Sequence, residues 1–534
     1  MKQPASVLQE ELIAFLLDPK SYPHHPRRVR LVQTHASYLF LGFPYVYKVK
    51  KKVNFGFLDF STLENRRYYS EREVILNRRL CPKIYLGVIP ISLSAGKLSF
   101  GEGEEVVEYA VKMRKLEERY FMPRLLRHDQ VGTKDLDRIV SRLKDFYEAE
   151  TPTQEITKWG RIEKLKISTD ENFDQTRDFV GVTISRPAFE AIRLYTTAFY
   201  ARNAGLFDSR VRAHKIRDCH GDLHLEHVHL APETLSIYDC IEFNDRFRYI
   251  DVASDVAFLA MDFDHYERPD LSCEIAARMA AALRDSEMLR LMDFYKCYRA
   301  YVRGKVESFH QAKAQVPDSD QKKSRMLAGR YFRLALRYAA CGSKPTVLIV
   351  MGPIASGKST LANALGRELA CEVISSDRVR KELAGVPLHH RGEESARRRL
   401  YSEAMTQKTY KALFQYAAGR LDRHASLILD ATFSREKHRN ELIRLLDSKG
   451  AAYRFIEAYA PDEVVRRRLE HRKRATRQIS DARLENFEML TRAYEALSQT
   501  RAHYCLRVAT DRSATVTVEE TLKKLVLANF ESTA

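Results

Sequence analysis

Between positions 28 and 58 apolar and polar residues alternate, in RVRLVQTHASYLFLGFPYVYKVKKKVNFGF. A period of two is that of a strand with one buried face, so antiparallel strands are expected there. The spacing turns helical over 62–80. It returns to strands with glycine turns over 88–116, and is mostly helical from about 132 to 215. Residues 216–264 set short apolar segments among dense His, Asp and Asn, and 270–340 read as a helical block. The stretch ACGSKP (340–345) carries Gly and Pro and marks a boundary. Beyond it, short apolar runs at 346–351, 371–375, 426–430, 453–459 and 504–509 alternate with helical spacing, which predicts a parallel sheet with helices on both faces. The expected fold class is α/β in two domains, 1–340 and 345–534. No internal repeat or low-complexity segment interrupts either.

Composition narrows this picture. At 534 residues the chain exceeds one ordinary domain, and 45% hydrophobic with 30% charged residues is globular rather than disordered. The apolar runs are strand-sized, far short of the roughly 20 residues of a membrane span. The N-terminal apolar stretch is flanked by Glu10, Glu11 and Asp18, so it reads as an amphipathic helix rather than a signal peptide. Eight scattered cysteines with no C-x-x-C suggest neither a disulfide framework nor a zinc ribbon, and a reducing cytoplasm is the simplest setting. The net charge of +18 is spread, half of it lying beyond residue 345. Such a charge suits nucleic acid or phosphorylated small molecules.

The most informative segment is VLIVMGPIASGKST (347–360). Five apolar residues precede Gly352, Pro353, Ile354, Ala355, Ser356, Gly357, Lys358, Ser359 and Thr360, the G-x-x-x-x-G-K-S spacing of a P-loop. Glycines there let backbone N–H groups turn inward on phosphate oxygens; Lys358 reaches the β- and γ-phosphates, and the Ser359 hydroxyl completes a Mg²⁺ shell. ATP and Mg²⁺ are the implied cofactors. The next strand ends in Ser375-Ser376-Asp377, followed by Arg378-Val379-Arg380. Asp377 could take an acceptor hydroxyl proton and Arg380 could hold an acceptor phosphate, although an Asp there also suits a helix cap. Asp430 ends a further strand as a second acid near Mg²⁺. The Arg-rich run 465–483 has the look of a phosphate-covering lid.

These motifs resemble the P-loop kinases that include gluconate kinases, zeta toxins and the kinase half of phage polynucleotide kinase. The resemblance implies Asp377 as base, Arg380 as acceptor ligand and Arg472 and Arg474 as lid arginines.

In the first domain, CHGDLHLEHVHL (219–230) contains His220-Gly221-Asp222-Leu223-His224. This pentapeptide resembles the catalytic loop of aminoglycoside phosphotransferases and choline kinases, relatives of protein kinases with an α+β fold. The likeness assigns Asp222 to the acceptor hydroxyl and a later carboxylate to Mg²⁺, for which Asp239 and Glu242 compete, Asp239 being preferred. It makes Asp251 and Asp255 structural acids, Lys48 the strand lysine on the α/β-phosphates and Glu73 its helical partner. It sets an adenine hinge near Glu108–Met113. The joining of two such halves resembles the bacterial bifunctional aminoglycoside phosphotransferase/ATP-binding proteins. One departure stands out: where the resembled loop has a metal-binding Asn, this chain has His227, and Mg²⁺ prefers oxygen ligands. The histidines 220, 224, 227 and 229 lack cysteine partners, which argues against zinc.

The leading expectation is a phosphotransferase with two ATP sites acting on a small-molecule hydroxyl. Rival readings are an N-terminal pseudokinase joined to one active P-loop kinase, and a polynucleotide-end kinase. Nucleic acid is the less favoured partner and no membrane is expected. A mechanical ATPase is disfavoured because no arginine-finger segment is identifiable.

Overall fold

The computed structural model describes residues 9–312, 317–388, 398–474, 494–495 and 505–532. By packing, the chain forms two units. One joins Met1–Ile167 to Asn203–Met292; the other joins Ser168–Arg202 to Asp293–Ala534. Among the described residues no helix is long and apolar enough to cross a membrane.

The first unit is built on an antiparallel sheet of six strands: β1 Arg30–Gln33, β2 Ser37–Gly42, β3 Tyr45–Lys50, β4 Tyr85–Ser94, β5 Lys97–Phe100 and β6 Glu105–Arg114, in the order β1-β2-β3-β6-β4-β5. The pleat of β3 sorts its residues. Tyr47 and Val49 are buried in an apolar cluster with Leu16 of the helix Gln9–Leu17. Lys48 and Lys50 point the other way, to the helix Leu63–Arg78. That helix starts where the Thr62 hydroxyl accepts from Asn65 N–H, a standard N-cap. Two short antiparallel pairs follow: β7 Ile216–Asp218 with β10 Tyr249–Asp251, and β8 Val228–Leu230 with β9 Leu235–Ile237. The loop 219–227 lies between β7 and β8. Beneath it, nearly every residue of the helix Val252–His265 is buried.

The second unit holds a parallel sheet of β11 Thr346–Met351, β12 Glu372–Ser375, β13 Leu427–Asp430, β14 Ala452–Tyr459 and β15 Cys505–Ala509, in the order β12-β13-β11-β14-β15. Every residue of β11 is buried, which explains its unbroken apolar run. By packing, the chain does not divide at 340–345. Helices Arg186–Arg202 and Asp318–Cys341 pack with the C-terminal helix Ala514–Ser532. Tyr195 stacks on Phe530, and Phe199 stacks on Phe294 with ring centroids 4.4 Å apart. The Gly-Pro turn punctuates the chain there, but the apolar faces on either side of it need each other for burial.

Candidate functional site

The P-loop leaves β11 and ends at Gly357, the N-cap of the helix Lys358–Leu369. Its curl needs left-handed backbone at Gly352 (φ 144°), Ala355 (φ 56°) and Gly357 (φ 88°). At Gly352 space is decisive as well: a Cβ would lie 2.3 Å from the Ala458 carbonyl oxygen of β14. The loop is held from behind. Arg468 Nη1 donates to Ala355 O (3.2 Å) and to Thr510 Oγ1 (3.1 Å), and the Thr510 hydroxyl donates to Ser356 O. Burial, with Arg467 nearby, holds the Arg468 guanidinium below its usual range. Arg468 lies in the run 465–483 expected as a lid, but its bonds hold the loop from behind; Thr510 was not marked by the sequence. Thr510 follows β15, so only the fold brings it to the loop.

Three strands deliver the chemistry to one edge. Register pairs Val350 of β11 and Ser375 of β12 with Asp430 of β13. Asp430 is buried (3% exposed), and its Oδ1 has no hydrogen-bond partner. Burial pushes its carboxyl above the ordinary value, against the pull of Lys358 and the Ser359 hydroxyl. A buried, unpaired carboxylate oxygen beside that hydroxyl is the donor set of a Mg²⁺ site, so these residues fit the ion. Asp377 lies close enough to Asp430 to raise its carboxyl further. Asp377 is in the first turn of the helix Ser376–Leu383, inside its N-cap Ser375, whose side chain makes no cap hydrogen bond, so Asp377 is not itself the cap. Arg380 is buried. Its Nη1 donates to Leu400 O (3.2 Å) and Thr406 Oγ1 (3.1 Å), and its guanidinium lies over the Tyr401 ring. It anchors the segment 400–406. Arg472 and Arg474 end the helix Asp462–Arg474, and their side chains, like residues 475–483 of the expected lid, lie outside the described residues.

In the first unit the structure brings together residues 191 positions apart. Lys48 Nζ is 2.9 Å from Glu73 Oε1 and donates to Asp239 Oδ1 at 2.7 Å. A second lysine, Lys50, donates to Glu73 Oε2 (2.7 Å) and pairs with Glu242. Burial opposes charge on every one of these groups. Even so, Lys48 and Lys50 hold Glu73 below its ordinary value, while burial keeps Glu242 above it despite Lys50. The geometry thereby separates the two candidate acids. Glu242 is buried against Lys50, and Asp239 stands half-exposed between Lys48 and His227. Asp239 adopts a left-handed backbone (φ 63°), with its N–H given to the Tyr85 hydroxyl.

The loop bearing Asp222 is fixed from the helix below it. Asp255 accepts from His220 N–H (3.0 Å) and Gly221 N–H (2.9 Å), and Asp262 accepts from Leu225 N–H (2.8 Å). Asp251 caps the helix and pairs with the buried Arg210. His220 is pushed down to about 4 by burial and is neutral, while His229 Nε2 donates to Glu117 O. Glu108–Met113, expected as a hinge, lies inside β6, where the backbone is committed to β3 and β4. Glu108 pairs with Arg66 instead (2.8 Å).

Residues 347–497 match the family model of an AAA domain, AAA_33. Over 406 residues the chain is 30% identical to Uncharacterized protein Rv2004c of Mycobacterium tuberculosis (strain H37Rv) and to Uncharacterized protein Mb2027c of Mycobacterium bovis. The match covers 75% of this chain and 78% of each relative. The chain belongs to their family. Among solved structures, a gluconokinase from Sinorhizobium meliloti 1021 is 16% identical over 35% of this chain and 96% of its own, with a TM-score of 0.26. The Mycobacterium tuberculosis APS kinase CysC, solved with AMPPNP and APS, is 19% identical over 34% and 98%, with a TM-score of 0.24. The mycobacterial alignment is longer than either unit, so the family shares more than its P-loop region.

Proposed function

We propose that this protein is an ATP-dependent phosphotransferase that passes the γ-phosphoryl group to a hydroxyl of a small molecule. The observation that carries the reading is the convergence of Lys358, Ser359, Asp430 and Asp377 at one edge of the parallel sheet. A P-loop alone binds nucleotide. An acid beside the metal-site carboxylate, at the crevice where parallel sheets hold ligands, supplies what a transfer reaction adds.

In this reading the P-loop amides and Lys358 hold the phosphates, and Ser359 and Asp430 would hold Mg²⁺. The ion, when bound, would neutralise charge on the transferring phosphoryl group. Asp377 accepts the acceptor hydroxyl proton. Arg468 and Thr510 keep the loop in shape. In the first unit, Lys48 with Glu73 provides for a second nucleotide's phosphates and Asp222 faces an acceptor. His227 puts an imidazole where Mg²⁺ would want oxygen, so those residues do not fit Mg²⁺ and no step is assigned to it there.

The test is a screen of a metabolite extract with γ-labelled ATP and Mg²⁺, using the full chain and Lys358→Ala. Transfer of label to a non-nucleotide product by the wild type, absent from the variant, is expected. ATP cleavage to free phosphate with no labelled acceptor from any pool would overturn the reading in favour of a non-transferring ATPase.

A further inference from the structure

The disagreement between the first unit's residues and Mg²⁺ has a geometric counterpart. His224 is extended, and the single 3₁₀ turn Leu225–His227 follows it. His224 stands just before that turn and His227 ends it, which brings the two imidazoles together with ring centroids 3.9 Å apart and planes tilted by 39°. Asp222 reaches into the same space. His224 Nε2 is 3.4 Å from Asp222 Oδ2, and His227 Nε2 is 3.5 Å from Asp239 Oδ2. Asp222, His224 and His227 each offer a ligand atom within 4.8 Å of the others.

Three points bear on what these atoms are for. First, His227 Nδ1 lies 3.0 Å from the Asp222 backbone carbonyl, which can only accept, so Nδ1 carries the hydrogen. Nε2 is then the ring atom left to ligate, and it lies on the side of Asp239. Metal-binding histidines are oriented in this way, with the other ring N–H given to a carbonyl. Second, the His224–Asp222 separation of 3.4 Å and the His227–Asp239 separation of 3.5 Å each approach the edge of a tetrahedron with bonds of about 2.05 Å, about 3.3 Å, and small side-chain shifts would draw the ligand atoms within 4.8 Å onto one ion. Third, Lys48 and Lys50 pair with the three carboxylates Glu73, Asp239 and Glu242, while Asp222 meets the imidazoles of His224 and His227. The sequence offered these histidines no cysteine partners; the fold offers them carboxylates.

We infer that Asp222, His224 and His227, with Asp239 at the rim, form a transition-metal site, of Zn²⁺ or Mn²⁺ type, in the loop of the first unit. Imidazole and carboxylate ligands suit such ions, whereas Mg²⁺ takes oxygen. Three protein ligands leave a position for water or a phosphate oxygen. The inference rests on the proposed reading only for the meaning of the site, since metal binding needs no nucleotide.

The experiment uses the full chain, free of any affinity tag, stripped with chelator and titrated with Co²⁺ and then Zn²⁺ without nucleotide. The wild type should gain the visible absorption of four-coordinate Co²⁺ and retain about one Zn²⁺ per chain after dialysis. His227→Asn and His224→Gln should each lose the absorption and weaken Zn²⁺ by more than about 100-fold. Asp430→Asn, which alters only the P-loop site, should keep both. Trp159 emission, unchanged in the two histidine variants, would show that they fold. A wild type that gains no absorption and keeps no zinc would overturn the inference, as would binding that both histidine variants retain. ATP titration of the stripped protein is read separately, so failure of the metal site and failure of the nucleotide reading give different results.

Discussion

Replacing Lys50 with Met removes one of two cations from a pocket where Glu73 and Glu242 are nearly inaccessible. Their side chains are 0% and 7% exposed, and that of Lys50 is 1% exposed. Met retains the packing against Phe60, over whose ring the ammonium lies at 4.7 Å. The charge is lost, and Lys48 alone then faces Glu73, Glu242 and Asp239. Breaking a buried pair by removing one partner costs about 3–5 kcal/mol. For a unit of this size that is a fall in melting temperature of about 6–15 °C. The penalty should depend on pH. In the wild type Glu73 is held below its ordinary 4.5, so its stabilisation is present above that pH and lost as pH falls through the folded value. Lys50 is held above 10.5, so its stabilisation is lost only as pH rises through that higher folded value. Between pH 5 and 9 Glu73 and Lys50 therefore add no pH dependence of their own to the wild type, and the difference between wild type and variant isolates the pocket. In the variant, burial without Lys50 raises both carboxyls, and stability falls as pH rises through their new values. The penalty at pH 8 should exceed that at pH 5.5. Trp159, the chain's one tryptophan, lies in the first unit and reports its unfolding by fluorescence in urea. Lys50→Met with Glu242→Gln should be less destabilised than Lys50→Met alone. A cost below about 1 kcal/mol with no pH dependence would refute the reasoning.

Asp377→Asn loses only a first-turn carboxylate, worth about 0.3–1 kcal/mol, so the melting temperature should fall by no more than a few degrees, while phosphoryl transfer should fall by about 10²–10⁴ with any identified acceptor; unchanged turnover would remove Asp377 from the base role. Gly352→Ala places a Cβ 2.3 Å from the Ala458 carbonyl oxygen, so the loop and β14 must part; abolished nucleotide binding is expected by calorimetry, and wild-type affinity would contradict the loop geometry.

What could be read from the sequence differs between the two units for physical reasons. The P-loop is a local device: its glycines, Lys358 and Ser359 are contiguous, and β11 announces itself by a wholly apolar run. Lys48 and Glu73 are implied by the resemblance of the 220–224 loop to kinases, and the fold places them 2.9 Å apart. A run such as Lys48–Lys52 has the composition of a solvated face, yet the pleat aims both Lys48 and Lys50 at Glu73. Asp239 and Glu242 could not be separated by spacing, since what distinguishes them is which lysine each meets. Arg468 belongs to the Arg-rich run 465–483, but composition does not show that it holds the P-loop through Ala355 and Thr510, and no local pattern marks Thr510 at all. The packing of helices 186–202 and 318–341 with 514–532 was also hidden. Amphipathic periodicity shows that a helix has a buried face but not which partner covers it.

The central claim is that the chain carries two nucleotide sites, one at Lys358 and one at Lys48. Equilibrium binding of ATP to the full chain, with Mg²⁺ and Mn²⁺ present, counts them directly. The account predicts two ATP per wild-type chain, one in Lys358→Ala, one in Lys48→Ala and none in the double variant. One ATP per wild-type chain, none in Lys358→Ala and an undiminished one in Lys48→Ala would contradict it, leaving the P-loop as the only nucleotide site and the first unit without one.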